Sequence, residues 1–152
     1  MDNNINRISI TNNNKISIPY KIIKEKPIGR IIINKINIDK PLYKINSPEN
    51  NVDKNITILK ESNYPHNIFI AAHSGTGNNA YFKDLDKLDI NDEITIEYYN
   101  NIKKYLVESK NIQKKNGYIN ISNKEINYLI LTTCYPYDDN YQLIVSCIEK
   151  ES

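Results

Sequence analysis

Two segments of the sequence end a predicted apolar strand on a side chain that can do chemistry. In the first, the string NIFIAAH ends on His73, and the loop that follows holds Gly75 and Gly77, two of the chain's four glycines. In the second, the string YLILTTC ends on Cys134, and Pro136 stops strand pairing two residues later. Strand ends that lead into loops are where rigid scaffolds present reactive groups. These two positions are therefore the first candidates for an active site.

An imidazole and a thiol together are the minimum for acyl transfer by a cysteine nucleophile. A thiol is a weak nucleophile near neutral pH until it is ionised, and a nearby imidazole takes its proton or stabilises the thiolate. The oxyanion formed on attack needs a donor, which is an amide, a guanidinium or a backbone N–H. The competing interpretation is structural, because a buried cysteine serves as a small apolar side chain and a histidine as a satisfied polar one. Spacing alone leaves both interpretations of Cys134 and His73 open.

Length and charge exclude several other classes of protein. A chain of 152 residues is long enough for one domain with a sizeable core. Its 20 Lys and Arg against 18 Asp and Glu give a net charge of +2. That value is far from the strongly basic balance of a nucleic-acid-binding protein. The sequence also lacks an apolar run of about 18 residues, the length that marks a membrane-spanning helix.

The other cysteine, the other histidine and two pairs of lysines receive structural predictions. Cys147 alternates with apolar residues in the last predicted strand, which indicates core packing, and it leaves open either one disulfide with Cys134 or two free thiols. With two histidines and no CxxC motif, a closed zinc site is excluded, and no metal or cofactor is expected. His66, in a predicted loop, is expected to be solvent-exposed. The pairs Lys103-Lys104 and Lys114-Lys115 are predicted to be solvated surface.

The elements that must position these residues are predicted to be strands. Ile recurs after residue 27, and Cβ-branched residues favour strands. Strands are predicted at 28–33, 36–43 (broken by Pro41), 55–59, 67–73 (buried on both faces), 93–99, 102–109, 127–134 and 141–149, with a hairpin corner at Asn100-Asn101 and a short helix or 3₁₀ turn within 79–88. Strands at intervals of roughly 8–12 residues indicate an all-β domain, a single barrel or sandwich. This domain is predicted at residues 27–152, after an Asn-rich arm or linker at 1–26.

At the two candidate segments the sequence resembles the sortases, the cysteine transpeptidases of Gram-positive cell surfaces. The resemblance rests on AAHSGTGNNAYFKDLDKL followed by the strand ITIEYYN, and on YLILTTCYP followed by YQLIVSCIE. The opening string PIGRIIINKINIDKPLY is similar to the first barrel strands of the family, so the resemblance covers residues 27–149. Two distant motifs in the correct order, with a matching pattern of elements between them, make it specific.

The resemblance implies a fold, an activity and a set of site residues. The fold is a closed eight-stranded β-barrel with a groove at the strand ends, in which His73 matches the catalytic histidine, Cys134 the nucleophile and Thr133 the threonine before it. Thr133 and Ser74 are expected to bind substrate, although a loop hydrogen bond is the alternative for Thr133. The implied reaction cleaves an LPxTG-like sorting signal between Thr and Gly and joins the acyl group to an amine of a peptidoglycan precursor or a pilin lysine. The expected place is the extracellular face of a Gram-positive cell membrane, with an anchor that this chain does not include.

One position departs from the family pattern. Where the family has an arginine opening the last strand, within a string like Arg-Leu-Ile-Val, this sequence has Gln142-Leu143-Ile144-Val145. Arg offers a fixed cation with five donors, whereas Gln offers two neutral N–H donors on a shorter stem. Either Gln142 serves as a neutral oxyanion donor, or the protein turns over weakly or not at all and acts as a peptide-binding module. A shift of the alignment by a residue or two would make Asn140 the candidate instead.

Overall fold

The computed structural model describes residues 25–62, 66–117 and 126–151, together with the backbone of two short strands nearer the N-terminus. In chain order the strands are β1 (Arg7–Ser9), β2 (Ile18–Tyr20), β3 (Gly29–Ile33), β4 (Ile38–Leu42), β5 (Thr57–Glu61), β6 (Ile68–Ala71), β7 (Glu93–Tyr98), β8 (Asn101–Lys114), β9 (Tyr128–Cys134) and β10 (Tyr141–Glu149). Two 3₁₀ turns, Asn34–Ile36 and Leu85–Lys87, are the helical elements of the described residues, and the second lies where the sequence predicts one. Neither is long or apolar enough to cross a membrane.

Eight of the strands form one sheet that curls into a nearly closed barrel. The strand order is β4-β3-β7-β8-β10-β9-β6-β5, and β1 pairs with β2 in a separate two-stranded sheet. Ile38 and Leu42 from one end of this order and Ile58 from the other belong to the same buried cluster. Both ends of the sheet therefore cover one core, which confirms the prediction of an all-β, eight-stranded barrel.

Alternation along the strands explains why these residues form the barrel. In β3, Ile31 and Ile33 are fully buried in the core, whereas Arg30 is exposed and Ile32 is half-buried. Ile94 and Ile96 repeat the buried positions in β7. A Cβ-branched side chain packs well on such a pleated surface. The sequence predicts that Pro41 breaks its strand, but β4 continues through it. β4 is the edge of the sheet, so one side of its backbone needs no partner.

The structure moves several strand boundaries, among them the end of β6, which lies at Ala71 rather than at His73, and both ends of β8. The hairpin corner lies at Tyr99 and Asn100, one residue earlier than predicted, and both have positive φ (48° and 68°), as a tight two-residue hairpin turn requires. β8 continues to Lys114, five residues beyond its predicted end at residue 109, and remains paired with β10 over that length. The extension matters because it carries the end of β8 to the end of β9.

Two predictions about burial are corrected. β6 is fully buried on the core face through Ile68 and Ile70, whereas Phe69 on the other face is half-buried against a small outer cluster. His66 is half-buried rather than solvent-exposed: its Nε2 lies 3.9 Å from a Glu61 carboxylate oxygen, and its ring centroid lies 6.3 Å from that of Tyr98. Of the predicted arm at residues 1–26, strands β1 and β2 and the last two residues are described, so the boundary at residue 27 stays a prediction.

The backbones of β3 and β7 approach each other closely at Gly29, and this approach yields a stability prediction. Gly29 pairs with Tyr98, and a Cβ at this position would overlap the Glu97 carbonyl. We expect Gly29→Ala to lower the free energy of unfolding by about 1–3 kcal/mol, because backbone must shift to admit the methyl group. For a chain of this size, that is a fall of roughly 3–10 °C in Tm by circular dichroism.

Gly77→Ala is the matched control. A Cβ there would meet the Asn79 side-chain oxygen at 3.1 Å, which a side chain relieves more easily than backbone does. Equal Tm values for Gly29→Ala and Gly77→Ala would contradict the close approach of β3 and β7.

Candidate active site

The parallel pairing of β6 with β9 brings the two candidate strand ends together. Its register runs from Ile68 opposite Leu129 to Ala71 opposite Thr132, and the Ala72 N–H donates to the Thr132 carbonyl at 3.4 Å. Continued by two residues, the same register sets His73 opposite Cys134. Paired strands lie about 4.8 Å apart, so the backbones that carry the imidazole and the thiol are neighbours at one end of the barrel.

Two hydroxyl groups fasten these strand ends to each other. The buried Thr133 hydroxyl donates to the Ala72 carbonyl at 2.7 Å, and the Ser74 hydroxyl donates to the Cys134 carbonyl at 3.0 Å. Each bond joins the histidine segment to the cysteine segment. For Thr133 this is the backbone hydrogen bond that the sequence offered as its alternative role, and the substrate-binding role of Thr133 and Ser74 stays a prediction.

Strand register also places Gln142 beside the candidate nucleophile. Gln142 pairs with Cys134 across β9 and β10 and with Gln113 across β8 and β10. Leu143 and Val145 of β10 point into the barrel core, so Gln142 lies on the opposite, outer face. Directly opposed residues share a face, which puts the thiol and the carboxamide on one surface. Asn140, the alternative candidate, lies in the turn before β10 and its carbonyl accepts from the Lys115 N–H at 3.0 Å.

A lysine that the sequence assigned to solvated surface contacts the thiol. Lys115 is exposed, as predicted, but its Nζ donates to Cys134 Sγ at 3.1 Å. The predicted exposure is therefore confirmed, and the contact with the thiol is an addition that the sequence analysis missed. The sequence offered no signal for the contact, because Lys115 lies beyond the predicted end of β8 and 19 residues from the cysteine.

A carboxylate that the sequence also missed contacts the candidate histidine. His73 Nε2 lies 2.8 Å from Asp53 Oδ1, and since a carboxylate only accepts, Nε2 carries the hydrogen of this bond. The loop around Asp53 is attached to the segment after His73, because Asn79 donates to the Asp53 carbonyl at 3.2 Å and the Tyr81 hydroxyl donates to the Lys54 carbonyl at 3.1 Å. Asp53 therefore orients the imidazole from a loop that is fixed next to it.

The two cysteines are free thiols in different environments. Cys134 is half-buried at the strand end, whereas Cys147 is fully buried in the barrel core. Burial, with the nearby Glu108 carboxylate as the smaller cause, raises the pKa of Cys147 far above its ordinary value. Cys147 is thus the core residue that its alternation predicts. Within the described residues, no group of three or more His, Cys, Asp or Glu could hold a metal ion.

A barrel that presents a half-buried thiol and an oriented imidazole at adjacent strand ends has the parts of a cysteine acyl transferase. The sortase domain family model matches residues 31–149, which is most of the chain. The chain belongs to the sortase family, whose members are cysteine transpeptidases of Gram-positive cell surfaces.

Solved sortases have the same fold. A structure of sortase C1 from Streptococcus agalactiae is 28% identical and covers 86% of this chain and 71% of that chain, with a TM-score of 0.71. Sortase C-1 from Actinomyces oris is 19% identical and covers 84% of this chain and 76% of that chain, with a TM-score of 0.72. A lid mutant of sortase A from Corynebacterium diphtheriae is 20% identical and covers 86% of this chain and 73% of that chain, with a TM-score of 0.73. At these identities the two structures show similarity of fold alone. No curated protein matches the chain significantly in sequence.

The contrast between the thiols predicts their labelling. We expect iodoacetamide to alkylate Cys134 in the native protein and to leave Cys147 unmodified, because the core excludes the reagent and keeps that thiol protonated. Peptide mass spectrometry locates the label, Cys134→Ala removes it, and unfolding in urea allows both thiols to react. Labelling of both cysteines at similar rates in the native protein would contradict the placement of Cys147 in the core.

Proposed function

We propose that this chain is a sortase that cleaves an LPxTG-like sorting signal between Thr and Gly and transfers the acyl group to an amine. The observation that carries the proposal is the register of β6 and β9, which makes the backbones of His73 and Cys134 neighbours in a barrel of this family. The half-buried thiol stands at the open end of its strand, where a peptide carbonyl can approach it.

The reaction proceeds through a thioacyl-enzyme. The Cys134 thiolate attacks the carbonyl carbon of the threonine, and Gln142 with a backbone N–H near Cys134 donates to the oxyanion. His73, as imidazolium, protonates the leaving glycine amine as the C–N bond breaks. An incoming amine then loses its proton to His73 and takes the acyl group, which regenerates the thiolate.

Asp53 supports this proton transfer by holding the ring. Its carboxylate accepts from His73 Nε2 at 2.8 Å, which leaves Nδ1 as the ring nitrogen that exchanges protons with thiol and amine. Ser74 and Thr133 keep the two strand ends in register, and a direct contact of either with substrate is a further part of the proposal.

The partners follow from the reaction. The donor is a surface protein or pilin that carries the sorting signal, and the acceptor amine belongs to a peptidoglycan precursor or a pilin lysine. The proposed place of action is the extracellular face of a Gram-positive cell membrane, where both are found.

A second function is favoured by one residue. Gln142 is neutral where the family has arginine, and a neutral donor stabilises an oxyanion less than a charged one does. A protein of this fold with weak or no turnover would bind sorting-signal peptides without cleaving them.

Mass spectrometry of the protein incubated with an LPxTG peptide, with and without an amine acceptor such as triglycine, separates the two functions. We expect a thioacyl adduct on Cys134 without acceptor and a transpeptidation product with it, because the thiol is intact and accessible. Cys134→Ala is expected to give neither.

Saturable peptide binding without adduct or product, across a panel of motif variants, would instead identify a binding module. Absence of both binding and product across the panel contradicts the proposed substrate class.

Removal of the Asp53 carboxylate tests its support of the histidine. We expect Asp53→Ala to lower kcat about two- to fivefold with little change in KM, because the Asp53 side chain is 77% exposed and exposed ion pairs are weak. Asp53→Asn keeps an acceptor oxygen and is expected to lose less.

Asp89→Ala is the control, since Asp89 is similarly exposed (74%) and similarly paired, at 2.7 Å with Lys35, but lies elsewhere. The same loss in both variants would show that the effect is not specific to His73.

A further inference from the structure

The candidate nucleophile has a cationic neighbour that the family pattern does not include. Lys115 Nζ donates to Cys134 Sγ at 3.1 Å. Lys115 comes from the end of β8, whereas the departure from the family pattern lies in β10 at Gln142. The active site therefore keeps a positive charge beside the sulfur, delivered from a different strand.

The backbone fixes the direction of this lysine. The Lys115 N–H donates to the Asn140 carbonyl at 3.0 Å, so the pairing of β8 with β10 extends one residue past Lys114. By strand alternation Lys115 shares a face with Gln113, which is paired with Gln142. Lys114 points to the opposite face. The ammonium group thus approaches Cys134 on the same outer surface as the Gln142 carboxamide.

Neither arginine of the chain lies on a strand next to that of Cys134. Arg30 lies in β3 and bonds Glu97 at 3.0 Å and Asp39 at 3.3 Å. Arg7 lies in β1, in the separate two-stranded sheet. Neither strand is adjacent to β9 in the barrel order. In the part of the chain that the structure describes, Lys115 is the cation with a recorded bond to the nucleophile.

We propose that Lys115 is a catalytic residue that supplies the positive charge of this active site, first to the Cys134 thiolate and then to the oxyanion. The inference deepens the proposed function and depends on it for the identity of the substrate. An ammonium at hydrogen-bond distance stabilises a negative charge on sulfur through a charge-assisted hydrogen bond. The tetrahedral carbon is bonded to the sulfur, so its oxygen lies two bonds from Sγ, within reach of the same Nζ.

The charge of the lysine is unchanged through the reaction. As the S–C bond forms, the π electrons of the carbonyl move to oxygen. The negative charge thus moves from the sulfur to that oxygen, and the Lys115 ammonium group donates a hydrogen bond to it there. As the C–N bond breaks, the oxygen returns its electron pair and the amine takes a proton from His73. The reverse sequence releases the acyl group to the incoming amine and restores the thiolate beside Lys115. Gln142 adds a neutral donor on the same face.

A charge-selective thiol reagent tests whether the ammonium acts on the sulfur. Anionic and cationic methanethiosulfonates of similar size both convert the thiolate to a mixed disulfide and release methanesulfinate, so the ratio of their rates cancels the ionised fraction of Cys134. Two unlike charges about 4 Å apart attract appreciably even in water. We expect Lys115→Met to lower the anionic-to-cationic rate ratio roughly tenfold at low salt.

Lys114→Met is the matched control, because it removes the same charge one residue away on the other face. We expect it to change the ratio less than Lys115→Met does, because its ammonium lies farther from the sulfur and Coulomb attraction falls with distance. An unchanged ratio in Lys115→Met, or equal changes in both variants, would overturn the contact between Lys115 and the thiolate.

The oxyanion is tested separately by comparing two neutral reagents. p-Nitrophenyl acetate acylates Cys134 through an oxyanion, whereas iodoacetamide alkylates it without one, and neither needs recognition of a sorting signal. We expect Lys115→Met to slow acylation at least tenfold more than alkylation, and Lys115→Arg to recover most of the loss. Equal slowing of the two reactions would overturn the oxyanion role.

Moving the charge back to β10 completes the test. Since Gln142 faces Cys134 on the same surface, we expect Gln142→Arg to restore acylation in the Lys115→Met protein. Failure of both arginine variants to restore it, with Tm unchanged, would assign Lys115 a structural role instead.

The outcomes also separate this inference from the proposed function. If Lys115→Met loses acylation and the wild-type protein turns over no sorting-signal peptide, the result supports the catalytic role of Lys115 and contradicts the proposed substrate class. If Lys115→Met turns over such a peptide at the full rate, the result contradicts the catalytic role of Lys115 and supports the proposed transpeptidase function.

Discussion

The active site depends on the pairing of β6 with β9, the parallel pair among the described strands of the barrel. His73 and Cys134 are 61 residues apart in sequence, and this register makes their backbones neighbours. A slip by one residue would turn Cys134 towards the core and Thr133 towards the outer face, because successive side chains alternate between faces. The buried bond from the Thr133 hydroxyl to the Ala72 carbonyl opposes that slip, since a displaced Thr133 would leave the buried carbonyl without this donor.

β10 extends the same constraint to the other side of the nucleophile. It pairs with β9 on one edge and β8 on the other, and its core residues Leu143 and Val145 are almost fully buried. A strand held on both edges and packed on one face has little freedom to move. Cys134, Gln142 and Lys115 are therefore positioned by three consecutive strands of one sheet, while His73 and Asp53 approach from β6 and the loop before β5. The sheet therefore carries the candidate nucleophile and the lysine beside it, and the loop carries the carboxylate that contacts the candidate histidine.

The sequence alone predicted the features that depend on local residue patterns, namely the strands and the two segments that carry the candidate residues. Alternating Ile residues predict β3 and β7, and apolar runs that end on His73 and Cys134 predict the two functional strand ends. Asp53 and Lys115 were missed because their roles depend on distant pairing: Asp53 meets His73 across 20 residues of chain, and Lys115 reaches Cys134 only because β8 extends past Ser109. The extension itself was missed because residues 110–114 are mostly polar, and their strand state comes from pairing with β10 rather than from burial.

Charge at an oxyanion is needed at a point in space and not at a position in the sequence. An arginine at position 142 would bring a planar fork from the strand next to the nucleophile, whereas Lys115 brings a point charge on a flexible stem across that strand. Both side chains lose similar rotamer entropy when they are held in place, and the backbone bond from Lys115 to Asn140 fixes where the lysine stem begins. In the proposed arrangement the cation comes from β8, so residue 142 does not have to be charged, and the neutral amide of Gln142 shares the face of the thiol. On this proposal, the neutral residue at position 142 and the lysine at the sulfur are two parts of one arrangement.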